Sequence, residues 1–230
     1  MNHSIIDYKE LRALISVGTS IIQETNLETI CQRVAEAVVK YSKFQRSVVS
    51  ILEPDGTLRR VGFGGLTDEQ ITKLKQMKRS TMEEKKNIFS DKFRVGQSYY
   101  IPHDQVSLEG LKSEKEYSPN HEWHPDDFLF IPLYSIGGEI VGMVSIDDPV
   151  DGRRPTEEGL LPLEMLANQT AASIENSRNT KKLQEMLVKL REQQKVVMEL
   201  STPVIRIWER ILVLPLIGTV DSSRAMQIME

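Results

Sequence analysis

The side chains with the widest chemical repertoire are few and scattered. The chain has one cysteine, Cys31, and four histidines. His121 and His124 bracket Trp123 as an HxxH pair, with Asp126 and Asp127 just beyond and His103-Asp104 further back. Two such imidazoles can ligate a metal when both face one point, and the aspartates could complete the set. In a polar stretch, however, His and Asp commonly meet water or cap turns, so no metal site is expected. Cys31 falls at the start of the apolar face of a helix, where a small buried residue is the plain expectation. A lone thiol excludes a disulfide framework and a Cys-rich zinc site, and it fits a reducing, cytoplasmic setting. Asp147, Asp148 and Asp151 lie close together but lack the ligand pattern of a calcium loop, and Arg153 and Arg154 beside them point to a solvated acidic–basic turn. Gly64-Gly65 and Gly137-Gly138 open no helix at phosphate-loop spacing and read as turns. With no nucleophile–base pair in view, no enzymatic activity is expected.

Composition narrows the class further. The chain has 230 residues, 40% hydrophobic and 27% charged, with a formal net charge of −4. The mild acidity argues against a nucleic-acid binder, which would carry a basic face. Asp7, Lys9, Glu10 and Arg12 interrupt the first twenty residues, so no export signal is expected. The densest apolar run, Ile211 to Ile217, is far shorter than the roughly 20 residues a membrane span needs. At about 100–200 residues per domain, the length predicts one domain plus something more.

The elements that must position these residues follow from periodicity. Ile6, Leu11, Leu14, Ile15, Ile21 and Ile22 recur at helical spacing. A second helix, with Asn26 as N-cap, presents Ile30, Val34, Ala37, Val38 and Tyr41 on one face. The period then changes. Ser47 to Leu52 and Leu58 to Phe63 flank the turn residues Pro54-Asp55-Gly56 and predict a hairpin. Capping boxes at Thr67–Gln70 and Ser80–Glu83 predict two short helices. A strand from Gln97 to Ile101 leads into a long polar connection, His103 to Pro125, of a length that tends to be functional. Phe128–Leu133 and Ile140–Ile146 flank Ile136-Gly137-Gly138-Glu139 as a central hairpin. From Pro162 to Leu200 the pattern is helical, with a heptad seam at Leu183, Leu187, Leu190, Gln194 and Val197 that predicts a coiled coil. Two β-like runs, Val204–Trp208 and Ile211–Ile217, and a helix start at Asp221 complete the chain.

This order of elements resembles a GAF sensor domain. The residues that carry the resemblance are the Phe128–Ile146 hairpin, the run Asp147-Asp148-Pro149-Val150-Asp151-Gly152-Arg153-Arg154-Pro155, and the exit segment Leu166-Ala167-Asn168-Gln169-Thr170-Ala171-Ala172-Ser173-Ile174-Glu175-Asn176. The resemblance implies an α+β fold with a central antiparallel sheet, helices on one face and a ligand-sized pocket on the other. It also implies dimerisation through the first and last helices, hence a homodimer. By the same resemblance the long loop closes over the ligand face, so the candidate pocket residues are Phe63, Tyr99, His103, Trp123 and His124. Some relatives attach a bilin through a cysteine late in the domain, and none stands there. Cyclic-nucleotide binders carry an Asn-Lys…Phe…Asp-Glu pattern that Asn87 and Phe89 do not reproduce. A few GAF-like proteins are thiol enzymes that use several cysteines. The ligand and any cofactor therefore stay unknown, and a scaffold module that binds nothing is the alternative.

The last part of the chain has a resemblance of its own. Glu199-Leu200-Ser201-Thr202-Pro203-Val204-Ile205 and Val213-Leu214-Pro215-Leu216-Ile217-Gly218-Thr219-Val220-Asp221 resemble the opening of a STAS domain of the stressosome co-antagonist type. It implies a division into a GAF domain (5–161), a helical coiled-coil linker (162–200) and the first strands of a STAS core (201–230), cut off after them. It further implies a serine/threonine kinase and stressosome-type STAS proteins as partners, with Ser222 as the candidate phosphorylation site. Together the two resemblances imply a cytoplasmic signalling sensor with neither a nucleic-acid nor a membrane partner.

Overall fold

A six-stranded antiparallel sheet, in the order β2-β1-β6-β5-β4-β3, forms the centre of the larger unit of the chain. The structure is a computed structural model and describes residues 8–106, 108, 113, 121–200 and 205–213. Ile6, the helix start at Asp221 and Ser222 lie outside the described residues. Two units divide the chain, Met1–Asn179 and Thr180–Glu230.

In the first unit, α1 (Tyr8–Ile21) and α2 (Leu27–Tyr41) precede the β1 (Phe44–Leu52) and β2 (Leu58–Gly64) hairpin. The Asn26 side chain accepts from the Thr29 N–H at 2.9 Å, as the sequence predicts. Next come α3 (Asp68–Gln76), the one-turn α4 (Met82–Lys85), two short 3-10 turns, and the strands β3 (Arg94–Val95) and β4 (Ser98–Ile101). The central hairpin is β5 (Phe128–Tyr134) and β6 (Ile140–Pro149), and α5 (Glu157–Leu200) follows.

Alternation along the strands sorts side chains onto two faces. Val49, Ile51, Leu129, Ile131, Leu133, Val144 and Ile146 join the core under α1, α2 and the first turns of α5. The opposite parity, with Ile101, Phe130 and Met143, joins a smaller cluster with Leu58 on the other face. Glycines let α2 sit close against β2. A Cβ on Gly62 would fall 2.1 Å from the Cys31 carbonyl oxygen, so only glycine fits that approach.

Three expectations shift. The second capping box is Thr81 with Glu84, one residue later than Ser80–Glu83. The Ser80 carbonyl accepts from Leu58 N–H at 2.8 Å and Thr81 bridges Thr57, which holds Ser80 in extended backbone before the helix. Helix α5 starts at Glu157 rather than Pro162, because Thr156 caps it: its Oγ1 accepts from Gly159 N–H at 3.2 Å. Pro162 sits inside the second turn and only forgoes one backbone bond. The unit also runs past 161. Leu163, Leu166, Ala167, Ala171 and Ile174 are buried in the sheet core, Ser177 donates to the Thr25 carbonyl, and Arg178 donates to that of Leu52.

In the second unit, the seam residues Leu183, Leu187, Leu190 and Val197 are exposed. Strands β7 (Ile205–Trp208) and β8 (Ile211–Val213) pair antiparallel. Among the described residues, no helix is long and apolar enough to cross a membrane.

Candidate functional site

A cavity of about 400 Å³ opens on the sheet face away from α1, α2 and α5. Its floor is the outward parity of four strands: Val48 and Ser50 from β1, Leu58 and Arg60 from β2, Phe128 and Phe130 from β5, Met143 and Ser145 from β6. The segment from α3 to α4 walls it, with Leu74, Met77, Ser80 and Lys85, and Leu108 adds to the lining. The volume lies in the range of small-molecule sites, which combine apolar walls with a few polar groups. Five cations line the cavity (Arg46, Arg60, Lys78, Arg79, Lys85) against two carboxylates (Glu84, Asp147).

Two of these charges form a cluster that the sequence reading placed in solvent. Arg46 on β1 faces the end of β6, where its Nη2 pairs with Asp147 and its Nε lies 2.8 Å from Asp148 Oδ2. All three side chains are largely buried, so the acidic–basic turn expected around Asp147 and Asp148 is instead a buried ion cluster. Strand register causes the difference, since it sets Arg46 directly opposite Asp147. Burial raises the Asp147 carboxyl, Arg46 opposes this, and Asp148 adds to the rise, leaving Asp147 at about 6. Asp148 holds a left-handed backbone at φ 55°.

None of the five pocket residues expected from sequence lines this cavity. Phe63 is buried on the edge strand, with Lys75 Nζ 5.4 Å above its ring. Tyr99 packs edge to face on Phe89 at 5.0 Å. Trp123 belongs to the helix-side core, where its ring meets Phe44 at 6.2 Å and Tyr100 at 5.6 Å.

His103 and His124 do meet, in a second cluster around Asp127. Their rings stack with centroids 3.6 Å apart. The Asp127 carboxylate, 1% exposed, accepts from Tyr100 OH at 2.5 Å and from His103 N–H and His124 N–H at 2.9 Å, and its Oδ1 lies 2.9 Å from His103 Nδ1. Burial alone would raise this carboxyl, but the bonds from Tyr100, His124 and His103 outweigh it and hold it below the usual range. Burial and donation to Asp127 push the Tyr100 phenol up. The HxxH spacing does not act as a pair: His121 lies against Gly152, while His124 turns to His103. His103, His124 and Asp127 offer ligand atoms within 4.8 Å of one another. Yet both oxygens of the carboxylate are already engaged by these donors, an arrangement that fastens the two ends of the long β4–β5 connection rather than presenting free lone pairs.

Cys31 is fully buried, and burial pushes its thiol up to about 12, so it is not a nucleophile in the folded chain. Sequence reasoning missed Arg46, Arg60 and Lys85. A signal for the first two was present, since Arg46 and Arg60 fall on the parity of Val48, Ser50 and Leu58 in their strands.

The family model described as GAF domain matches residues 26–174. A bacteriophytochrome from the photosynthetic bacterium R. palustris superposes with TM-score 0.55 and 13% identity, covering 87% of this chain and 46% of its own. The GAF domain from an Acinetobacter phosphoenolpyruvate-protein phosphotransferase superposes with TM-score 0.52 and 11% identity, covering 76% of this chain and 97% of its own. A methyl-accepting chemotaxis protein gives TM-score 0.50 and 15% identity over 72% of this chain and 98% of the other. At such identities the likeness is one of fold. No curated protein matches the chain significantly in sequence.

Proposed function

The chain belongs to the GAF domain family, and from that premise we propose that it is a signal-input module whose cavity receives a small molecule. The observation that carries this reading is the two-sided sheet. The strands that floor the cavity through Phe130, Met143 and Ser145 share one core with the first turns of α5 through Leu129, Ile131, Val144 and Ile146. A ligand that shifts β5 or β6 by a fraction of an ångström therefore moves the seat of the helix as well. For this to be a signal, the ligand must bind two arrangements of that seat with different affinity.

The output half of the proposal rests on the sequence. The heptad seam from Leu183 to Val197 supports a parallel helix pair in a homodimer. The STAS-like segment 201–230 supports an output of stressosome type, with stressosome STAS proteins and a serine/threonine kinase acting at Ser222 as partners in the cytoplasm. A phosphate there would add about −1.5 to −2 charge beside Asp221 and change docking by charge.

Native mass spectrometry of protein purified from cells tests the input half. A retained small molecule, lost when the cavity is filled by Ser145→Phe, is the expected result. A clean apo mass from every preparation would sink the sensor reading and favour the scaffold.

A further inference from the structure

Of the five cations lining the cavity, three have no carboxylate within ion-pair distance among the described residues, and two of these, Arg60 and Lys85, are partly buried. Arg60 reaches from β2 to the end of α3, where Nη1 donates to the carbonyls of Leu74 at 3.1 Å and Met77 at 3.4 Å. Its Nη2 donates to the Lys78 carbonyl at 3.4 Å. These carbonyls, at the C-terminal end of α3, fix the guanidinium in place and soften its charge, but no carboxylate pairs with it among the described residues. Lys85, the last residue of α4, sets Nζ 4.9 Å from the centroid of the Phe130 ring. Of the other lining cations, Arg46 is matched by Asp147 and Asp148, and the exposed Lys78 by Glu84, which also closes the α4 capping box. Arg79 is exposed at the rim.

The pair is under electrostatic tension. Burial lowers the pKa of Lys85, and Arg60 lowers it further while Glu84 opposes; burial and Arg79 lower that of Arg60. Two half-buried like charges with no carboxylate in ion-pair distance among the described residues favour an anion that can enter between them. Apart from Ser50 and Ser145, the rest of the floor is apolar. Leu58, Phe130 and Met143 are buried, and the rings of Phe128 and Phe130 lie parallel within 2°, their centroids 5.9 Å apart.

We infer that the cavity takes a small organic oxyanion, its carboxylate or phosphate head held by Arg60 and Lys85 and its apolar body laid against Phe128, Phe130 and Met143. The inference rests on the sensor reading above and adds the chemical class of the signal. Guanidinium and ammonium donors to an oxyanion are of the charge-assisted kind, strongest where water is excluded.

Calorimetric titration of the full chain with three probes of like apolar body tests it: 3-phenylpropionate, 2-phenylethyl phosphate and 3-phenyl-1-propanol. At least one anion binds roughly tenfold to a hundredfold more tightly than the alcohol, the range of a hydrogen bond to a charged group. The tighter of the two anions assigns the head. Lys85→Met, which keeps an apolar stem over Phe130, loses that margin and leaves the alcohol unchanged. Arg60→Gln does the same, and Lys85→Met carries the test should Arg60→Gln fail to fold. Equal binding of alcohol and anions overturns the anion class while the sensor reading stands. Anion affinity unchanged in Lys85→Met overturns it too, as does absence of heat with all three probes. The retained-mass measurement decides the sensor reading separately.

Discussion

Replacing Asp127 by Asn removes one charge from a carboxylate that is otherwise nearly sealed. The amide oxygen can still accept from His103 N–H and stay near His103 Nδ1, both 2.9 Å from Asp127 Oδ1. The amide nitrogen then takes the place of Oδ2, which accepts from Tyr100 OH and His124 N–H. The hydroxyl can rotate to accept instead, but the backbone N–H cannot, so one buried donor loses its partner. A hydrogen bond to a charged acceptor contributes about 1.5–3 kcal/mol, and the weakened bond to Tyr100 adds to the loss. We expect about 2–4 kcal/mol in total, a fall in Tm of roughly 5–12 °C for a unit of this size. The loss carries a pH signature. Because hydrogen bonds hold the folded carboxyl below its unfolded value, it adds stability above the unfolded pKa, near 4, and that stability disappears as pH falls through the folded pKa. Urea titrations from about pH 3 to 7 should therefore show the gap between wild type and Asp127→Asn widest near neutrality and closing in acid. A gap below about 1 kcal/mol, or one that stays constant with pH, would refute the assignment of Asp127 as the clasp of the long connection. Leu108 in that connection lines the cavity, so the same variant should also weaken anion binding.

Other outcomes follow from the same geometry. Cys31, with its thiol pushed up to about 12, should react with a thiol reagent only as fast as the unit opens; rapid stoichiometric labelling of the native chain would contradict its burial. Gly62→Ala places a methyl 2.1 Å from the Cys31 carbonyl and should cost about 3 kcal/mol or prevent folding, whereas an unchanged melting curve would mean α2 can retreat. Asp147 has a folded pKa of about 6, above the ordinary aspartate value of 3.8, so the native state binds the extra proton between them and stability falls as pH rises through that window. The effect is at most about 3 kcal/mol, and Asp147→Asn should flatten that slope; an equal slope in the variant would mean another group titrates. Leu187→Glu, at an exposed seam position, should convert a dimer to monomer in sedimentation while leaving the melting of the first unit unchanged; a persistent dimer would place the contact elsewhere.

Much of the fold was legible because it is encoded locally. The Phe128–Ile146 hairpin, the Asn26 cap and the Thr67–Gln70 box need only neighbours a few residues away, and each stands where periodicity and cap chemistry put it. The second capping box slipped by one residue because both Ser80 and Thr81 can cap, and only the pairing of Thr57 with Thr81 chooses between them. The start of α5 slipped because a proline at a first turn and a proline just inside it look alike in sequence.

The sites were less legible, for a related reason. The i,i+3 spacing of His121 and His124 brings side chains together on a helix, and here it falls in irregular chain. His124 finds its partner 21 residues away on the other arm of the connection. Arg46 and Asp147 are a hundred and one residues apart and meet only through strand register. The sequence by itself determined the main helices and hairpins, the motifs whose resemblance implied the α+β architecture, and the burial of a lone core cysteine, because these depend on period, local motifs and side-chain character. Only the tertiary structure decided which outward-facing residues share a cavity, that Arg46 meets two carboxylates while Arg60 and Lys85 meet none among the described residues, and that Trp123 fills the core instead of a pocket. Charge matching and cavity shape depend on contacts between segments far apart in the chain, and register and loop closure set those contacts.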